Sequence, residues 1–305
     1  MRDGSTPPYR LATALVGSAA VPAAVVGDRV IALDALPGVR APADLAAVLA
    51  DWPRWRDVVA DGVRRLDPAT DGLQPDGWGV PVAPSKLVCI GVNYHDHLAE
   101  MGGTPPPERP YSFLKPVNTG LVASGGTVQL PDGPAMVDWE AELAVVLGRS
   151  LHHGRGDEVL DAVAGYTIYN DLSARDWIAS TKPPGIDWVL MKGYDGFSPI
   201  GPFVTPAEFV ADPQRLGIRC WVNGELKQNS STSRMIFSVQ AILEHLSAIM
   251  TLEPGDVIAT GTPAGVGYGA RPQQFLRDGD RVAVEIDGLG RLETVMAAAR
   301  KGAVA

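Results

Sequence analysis

Residues 137–148, VDWEAELAVVLG, constrain this chain more than any other segment. In a strand, successive side chains point to opposite faces, so Asp138, Glu140 and Glu142 project to one side. Three carboxylates on one face repel each other and resist burial unless a positive charge sits among them. Residues 143–147 are wholly apolar, the pattern of a strand buried on both faces. That run argues against the plainer reading of a solvated acidic face. An acidic face leading into a buried strand calls for a cation, and ligands that are all oxygen favour a hard ion, Mg²⁺ or Mn²⁺, over zinc.

Other residues suited to chemistry lie on both sides of this segment. The run NDLSARD follows the strand-like YTIYN, and Asp171 is a candidate to complete a ligand set begun by Glu140 and Glu142. Arg175 and Asp176 are expected to form an ion pair within that loop, with Asp176 the weaker option as a ligand. In NYHDHLAE, His97 and Glu100 stand three residues apart, on one face of a helix. A carboxylate against one imidazole nitrogen orients the ring and leaves the other nitrogen free to take a proton from water. His95 faces elsewhere and has no carboxylate at that offset. Lys192, in the glycine-rich MKGYDGFSPIGP, is placed to polarise a substrate oxygen. His152, His153 and His245 show no metal spacing and read as structural or exposed. GTPAGVGYG fits neither the Walker A spacing nor GxGxxG, and the absence of GxSxG and HExxH speaks against serine-hydrolase and zincin chemistry.

The 34 glycines and 26 prolines predict many turns and a strand-rich or mixed fold rather than a helical bundle. A net charge of -9 with no basic run argues against a nucleic-acid surface. Residues 11–27 are uncharged, but Asp3 and Pro7-Pro8 make a poor signal-peptide start, and Gly17-Ser18 and Pro22 interrupt the run. Two short hairpins within residues 9–36 explain it, no later stretch suits a membrane span, and Cys89 and Cys220 read as buried thiols of a cytoplasmic protein. Residues 42–66 predict a helix interrupted at Pro53, and residues 67–84 a linker, which divides the chain into a small domain over 1–80 and a larger one over 81–305. Further on, LVCIGV predicts a buried strand, NYHDHLAEMGG one or two helical turns, and DEVLDAVAG a short helix. A hairpin is expected at Asn223-Gly224, a helix over 234–250, and a last hairpin around Asp278-Gly279.

Taken in order, GVNYHDHLAE, FLKP, VDWEAELAVVLG, YTIYNDLSARD, MKGYDGFSPIGP, VNGELKQNSSTSRMIF and GDVIATGTPAGVG resemble the fumarylacetoacetate hydrolase family over about residues 85–296. The resemblance implies an α+β, strand-rich fold: a mixed β-roll catalytic domain preceded by a small N-terminal α/β domain, usually a homodimer binding Mg²⁺ or Mn²⁺. By the family's pattern Glu140, Glu142 and Asp171 would be metal ligands, which leaves Asp138 a supporting role. His97 with Glu100 would activate water, and Lys192 and Thr262, with Lys115 and Gln228, would contact a 2-oxo acid substrate. The implied activity is hydrolysis of a C–C bond in an acylpyruvate. Oxaloacetate decarboxylation, tautomerisation or hydration on the same site, and a non-catalytic binding protein, stand as alternatives. One departure concerns the substrate: Ile178 stands where the enzyme that names the family has a substrate-binding glutamine, and the stretch IASTKPPGIDWVLMK differs in length.

Overall fold

The Ala141–Leu147 strand is buried at every position, and the computed structural model, which describes residues 8–103, 105–180 and 185–299, shows what covers each face. The strand lies inside a ten-stranded sheet, antiparallel to Val163–Asn170 on one side and to Val257–Ala259 on the other. Beyond Val257–Ala259 the sheet continues through Leu87–Gly91, its parallel neighbour, to Tyr111–Lys115 at the edge. In the other direction it runs through Phe203–Pro206 to the hairpins Arg10–Val16, Ala19–Val26 and Arg29–Ala32 near the start of the chain. Gly77–Gly79, from the expected linker, pairs with Arg10–Val16 as well.

Leu143, Val145 and Leu147 face a core shared with a second sheet of five strands and with the Val239–Ser247 helix. Ala144 and Val146 face the opposite core, which holds Val48 and Leu49 of the Leu45–Ala50 helix and Trp52, Trp55 and Val59 of the Trp52–Arg64 helix. Each leucine and valine among them contributes about 1.5–3 kcal/mol on burial. Together they fix the register, and a one-residue slip would carry Glu142 to the wrong face. The architecture is therefore α+β and strand-rich.

Local chemistry sets the element ends. Asp44 caps Leu45–Ala50 by accepting from the Ala47 N–H at 2.8 Å. The interruption expected at Pro53 falls two residues earlier, at Asp51, and Pro53 sits in the first turn of the next helix, where its missing N–H costs nothing. Asn223 and Gly224, at φ 52° and 82°, make the two-residue hairpin turn between Gly217–Val222 and Glu225–Ser231.

Three expectations need correction. The helix placed at 234–250 is shorter, Val239–Ser247, because Ser238 caps it by accepting from Ala241 N–H. Ahead of it, Met235 bridges Tyr94 in extended conformation. In DEVLDAVAG only Glu158–Asp161 is helical, since Val163 already opens the strand to Asn170. The last hairpin joins Arg281–Ile286 to Gly290–Ala297 and turns at 287–289, whereas Asp278-Gly279 lies in the turn leading into it. Of IASTKPPGIDWVLMK, residues 181–184 lie outside the described residues, as do Asp3, Pro7 and Thr104.

Candidate metal centre

Strand alternation holds for Glu142 but breaks before it. Val137–Asp138 is a separate short strand paired with Ser173–Ala174, and the chain kinks through Trp139 and Glu140 before Ala141–Leu147 begins. Asp171 follows directly on the neighbouring Val163–Asn170 strand, and its N–H donates to the Glu140 carbonyl at 2.8 Å. The Asn170 side chain accepts from the Glu140 N–H at 3.0 Å. These backbone ties bring one oxygen each of Glu140, Glu142 and Asp171 within 4.8 Å of one another, all three residues being buried.

Cations surround the trio unevenly. Lys192 Nζ donates to Glu140 Oε2 at 2.7 Å and to Asp171 Oδ2 at 2.5 Å. Lys115 Nζ donates to Asp171 Oδ1 at 2.6 Å and to the Phe197 carbonyl at 2.7 Å. Arg175 bridges Asp138 Oδ2 at 3.0 Å and Glu140 Oε1 at 2.5 Å. Burial works against ionisation of Glu140, yet Lys192 and Arg175 overcome it and hold the carboxyl at about 2. Burial likewise opposes charge on Lys192, and Asp171 and Glu140 keep it ammonium. Glu142 is the exception: burial, reinforced by Asp171 and Glu140, pushes its carboxyl well above the ordinary range. Among the described residues its hydrogen-bond donor is a backbone group, Gly261 N–H at 2.9 Å. A buried carboxylate short of positive charge, facing two others, is the donor set that a divalent ion completes.

Asp138 lies outside the trio. It accepts from the N–H groups of Trp139, Gly267 and Tyr268 and from Arg175, which fastens the 265–268 loop to the strand. The expected pair between Arg175 and Asp176 does not form. Asp176 instead accepts from the N–H groups of Ala135 and Met136, while Arg175, 5% exposed, turns inward to the buried carboxylates of Asp138 and Glu140. Sequence reading missed this role of Arg175, because the pairing that sets Ser173 opposite Asp138 is long-range.

Beside the trio opens a cavity of about 250 Å³. Glu140, Glu142, Asp171, Lys192, His97 and Thr262 reach it, and its walls are mostly apolar, with Phe113, Met191, Ile178 and Trp188 prominent. Phe113 and Trp188 stack with ring centroids 4.3 Å apart. His97 Nδ1 lies 3.3 Å from Glu100 Oε2 on the His95–Glu100 helix, so the expected pair is formed. Lys192 ends a short helix, Trp188–Lys192, capped by Asp187, rather than sitting in a loop. Lys115 and Gln228 stand behind the lining. Gln228 is fully committed there, accepting from Ala141 N–H and donating to Thr262 Oγ1 and the Pro263 carbonyl.

Residues 86–297 match the Fumarylacetoacetate (FAA) hydrolase C-terminal family. The chain belongs to this family. Oxaloacetate tautomerase fahd2, mitochondrial, of Xenopus laevis is 44% identical over 209 residues, 68% of this chain and 64% of that protein, so the match spans less than two thirds of it. The fumarylacetoacetate hydrolase of Exiguobacterium antarcticum superposes with a TM-score of 0.77 at 29% identity, covering 95% of this chain and 99% of that one. Fumarylpyruvate hydrolase of Pseudomonas aeruginosa, solved with Mn²⁺ and pyruvate, gives 0.64 at 32% identity over 73% of this chain and 92% of that one. Among the described residues no helix is long and apolar enough to cross a membrane.

Proposed function

We propose that this family member is a divalent-metal-dependent hydrolase that cleaves the C3–C4 bond of an acylpyruvate, giving pyruvate and a carboxylic acid. The observation that carries the reading is His97, paired with Glu100, on the wall of a cavity that also holds the buried carboxylate trio. Glu140, Glu142 and Asp171 would hold the ion, and the Mn²⁺ and pyruvate in the Pseudomonas relative support both metal and product. When bound, Mg²⁺ or Mn²⁺ supplies Lewis-acid stabilisation of negative charge developing on a substrate oxygen.

The remaining work falls to side chains of this chain. Glu100 fixes the imidazole through Nδ1, so that Nε2 takes a proton from water. The resulting hydroxide adds to the C4 carbonyl, the C3–C4 bond breaks with its electron pair moving to the pyruvate fragment, and a proton returns to C3. Lys192, kept cationic by Glu140 and Asp171, polarises a substrate oxygen, and Thr262 contacts the substrate beside it. The apolar wall around Phe113 and Ile178 suits an acyl chain.

A second reading, tautomerisation of oxaloacetate, is favoured by the Xenopus relative and needs only a proton carried at C3 by the same histidine. A homodimer fits the exposed apolar side chains Leu114, on the edge strand, and Val189 and Leu190, on the Trp188–Lys192 helix. The test is a panel of acylpyruvates and oxaloacetate, with Mn²⁺ or with EDTA, following pyruvate release, loss of enol absorbance and CO₂. Pyruvate released from acylpyruvates, lost with EDTA, supports hydrolysis, and enol loss from oxaloacetate alone moves the assignment to the tautomerase. CO₂ and pyruvate released together from oxaloacetate, with no acylpyruvate cleaved, identify a decarboxylase, and no turnover on any member would leave a binding protein. His97→Ala is expected to lower hydrolysis by about 10²–10⁴-fold, leaving a measurable residual rate, with the metal still bound. If it hydrolyses normally, the base lies elsewhere.

A further inference from the structure

The His95–Glu100 helix carries both members of the pair and is six residues long. A helix that short does not sustain itself in water, because nucleation costs more than its few hydrogen bonds return. Tyr94 at its N-cap gives no side-chain cap, and beyond Glu100 come exposed Met101 and the positive-φ glycines Gly102 and Gly103. The place of His97 is therefore set by what the side chains of this segment reach.

Three side chains make such contacts, and all lead to two neighbouring segments, one of which the backbone also meets where Met235 bridges Tyr94. Asn93, before the helix, accepts from Phe237 N–H at 2.8 Å and donates to the Thr260 carbonyl at 2.8 Å. Glu100 uses one oxygen on His97 and accepts from Gly265 N–H at 2.9 Å with the other. Between them stands Asp96. Its Oδ2 accepts from Ser230 Oγ at 2.5 Å, with Arg234 Nε at 3.9 Å, and its Oδ1 accepts from the N–H groups of His97 at 2.9 Å and Ala264 at 3.4 Å.

We propose that Asp96 is a positioning residue for the His97–Glu100 pair, its carboxylate latching the short helix to Ser230 and to the Ala264–Gly265 backbone. Asp96 is not among the cavity-lining residues, so it acts through His97. The same loop carries Thr262, so one backbone segment holds a cavity contact and two anchors of the helix. The effect on turnover rests on the reading of His97 as the base.

The test uses the full chain loaded with Mn²⁺ and acetylpyruvate as substrate. Asp96→Ala is expected to lower kcat about ten- to a hundred-fold, the range for losing a hydrogen bond to a charged group, with KM and Mn²⁺ affinity unchanged. Asp96→Asn should recover part of the loss. In the His97→Ala background, Asp96→Ala should cost nothing further, because its effect passes through the ring. Independently of turnover, hydrogen exchange of the peptide over 94–103 should quicken in both Asp96→Ala and Ser230→Ala, with the Ala141–Leu147 strand unaffected. Unchanged exchange and unchanged kcat would overturn the latch, as would an undiminished loss in the His97→Ala background or weakened Mn²⁺ binding. Full activity of His97→Ala condemns the base assignment instead, and the exchange data then judge the latch separately.

Discussion

Replacing Arg175 with methionine keeps an unbranched apolar stem and removes the guanidinium with its charge, so that the loss falls chiefly on its ionic contacts. Arg175 is buried and spans Asp138 and Glu140 at 3.0 and 2.5 Å. Breaking a buried pair from one side costs roughly 3–5 kcal/mol, since a charge is left without its partner. Here the remaining contacts soften the blow. Asp138 keeps the N–H groups of Trp139, Gly267 and Tyr268 at 2.9, 2.6 and 3.0 Å, and Glu140 keeps Lys192 at 2.7 Å. The lower end, about 3 kcal/mol, is expected, which at roughly 2–4 °C per kcal/mol for a chain of this size lowers the midpoint by about 6–12 °C. Thermal unfolding followed by circular dichroism, in EDTA, measures it. Asp138→Asn supplies the control, because removing the orphaned charge in the Arg175→Met background should cost less than it does alone, with a coupling of about 1 kcal/mol or more. An unchanged midpoint in Arg175→Met, or two losses that simply add, would refute the orphaned-charge argument.

Two further outcomes follow from the same geometry. Mn²⁺ at about 100 times its dissociation constant should stabilise the wild-type chain by about 2.7 kcal/mol, and Glu142→Gln should abolish that gain. A Mn²⁺-dependent rise in midpoint that survives the substitution would remove Glu142 from the ligand set. Leu114→Glu combined with Val189→Glu, at exposed positions beside the sheet edge, should shift the chain from dimer to monomer in light scattering; an unaltered mass would place any interface elsewhere.

The two-sided burial of residues 143–147 was legible because it depends only on local composition, and both cores meet it. Asp138 was less so. Alternation assigned it to the face of Glu140 and Glu142, but the strand breaks at Trp139 and Glu140, a break set by pairing with residues more than thirty positions away. Asp171 was one option by spacing and became the choice through family resemblance; the structure shows what brings it near, a backbone bond to Glu140. The Arg175–Asp176 pair failed because sequence adjacency says nothing about which acceptor is buried. Asp176 found free N–H groups at Ala135 and Met136. Nor did any local pattern announce the aromatic wall of Phe113 and Trp188, whose contact joins a sheet edge to a distant helix.

The connection of the N-terminal hairpins to the large sheet bears on how the chain is made. Along the free side of Arg10–Val16, Thr13 to Leu15 pair with Gly77–Gly79, which are synthesised soon afterwards. Leu11 and Ala12, both fully buried, pair with Val204 and Phe203. At about 5–20 residues per second, some 190 residues of synthesis leave those two positions unpaired for roughly 10–40 s. During that interval a growing chain presents a short apolar β-edge to whatever else is nearby. Until Phe203–Pro206 emerges to close it, this is a stretch a chaperone would have reason to cover.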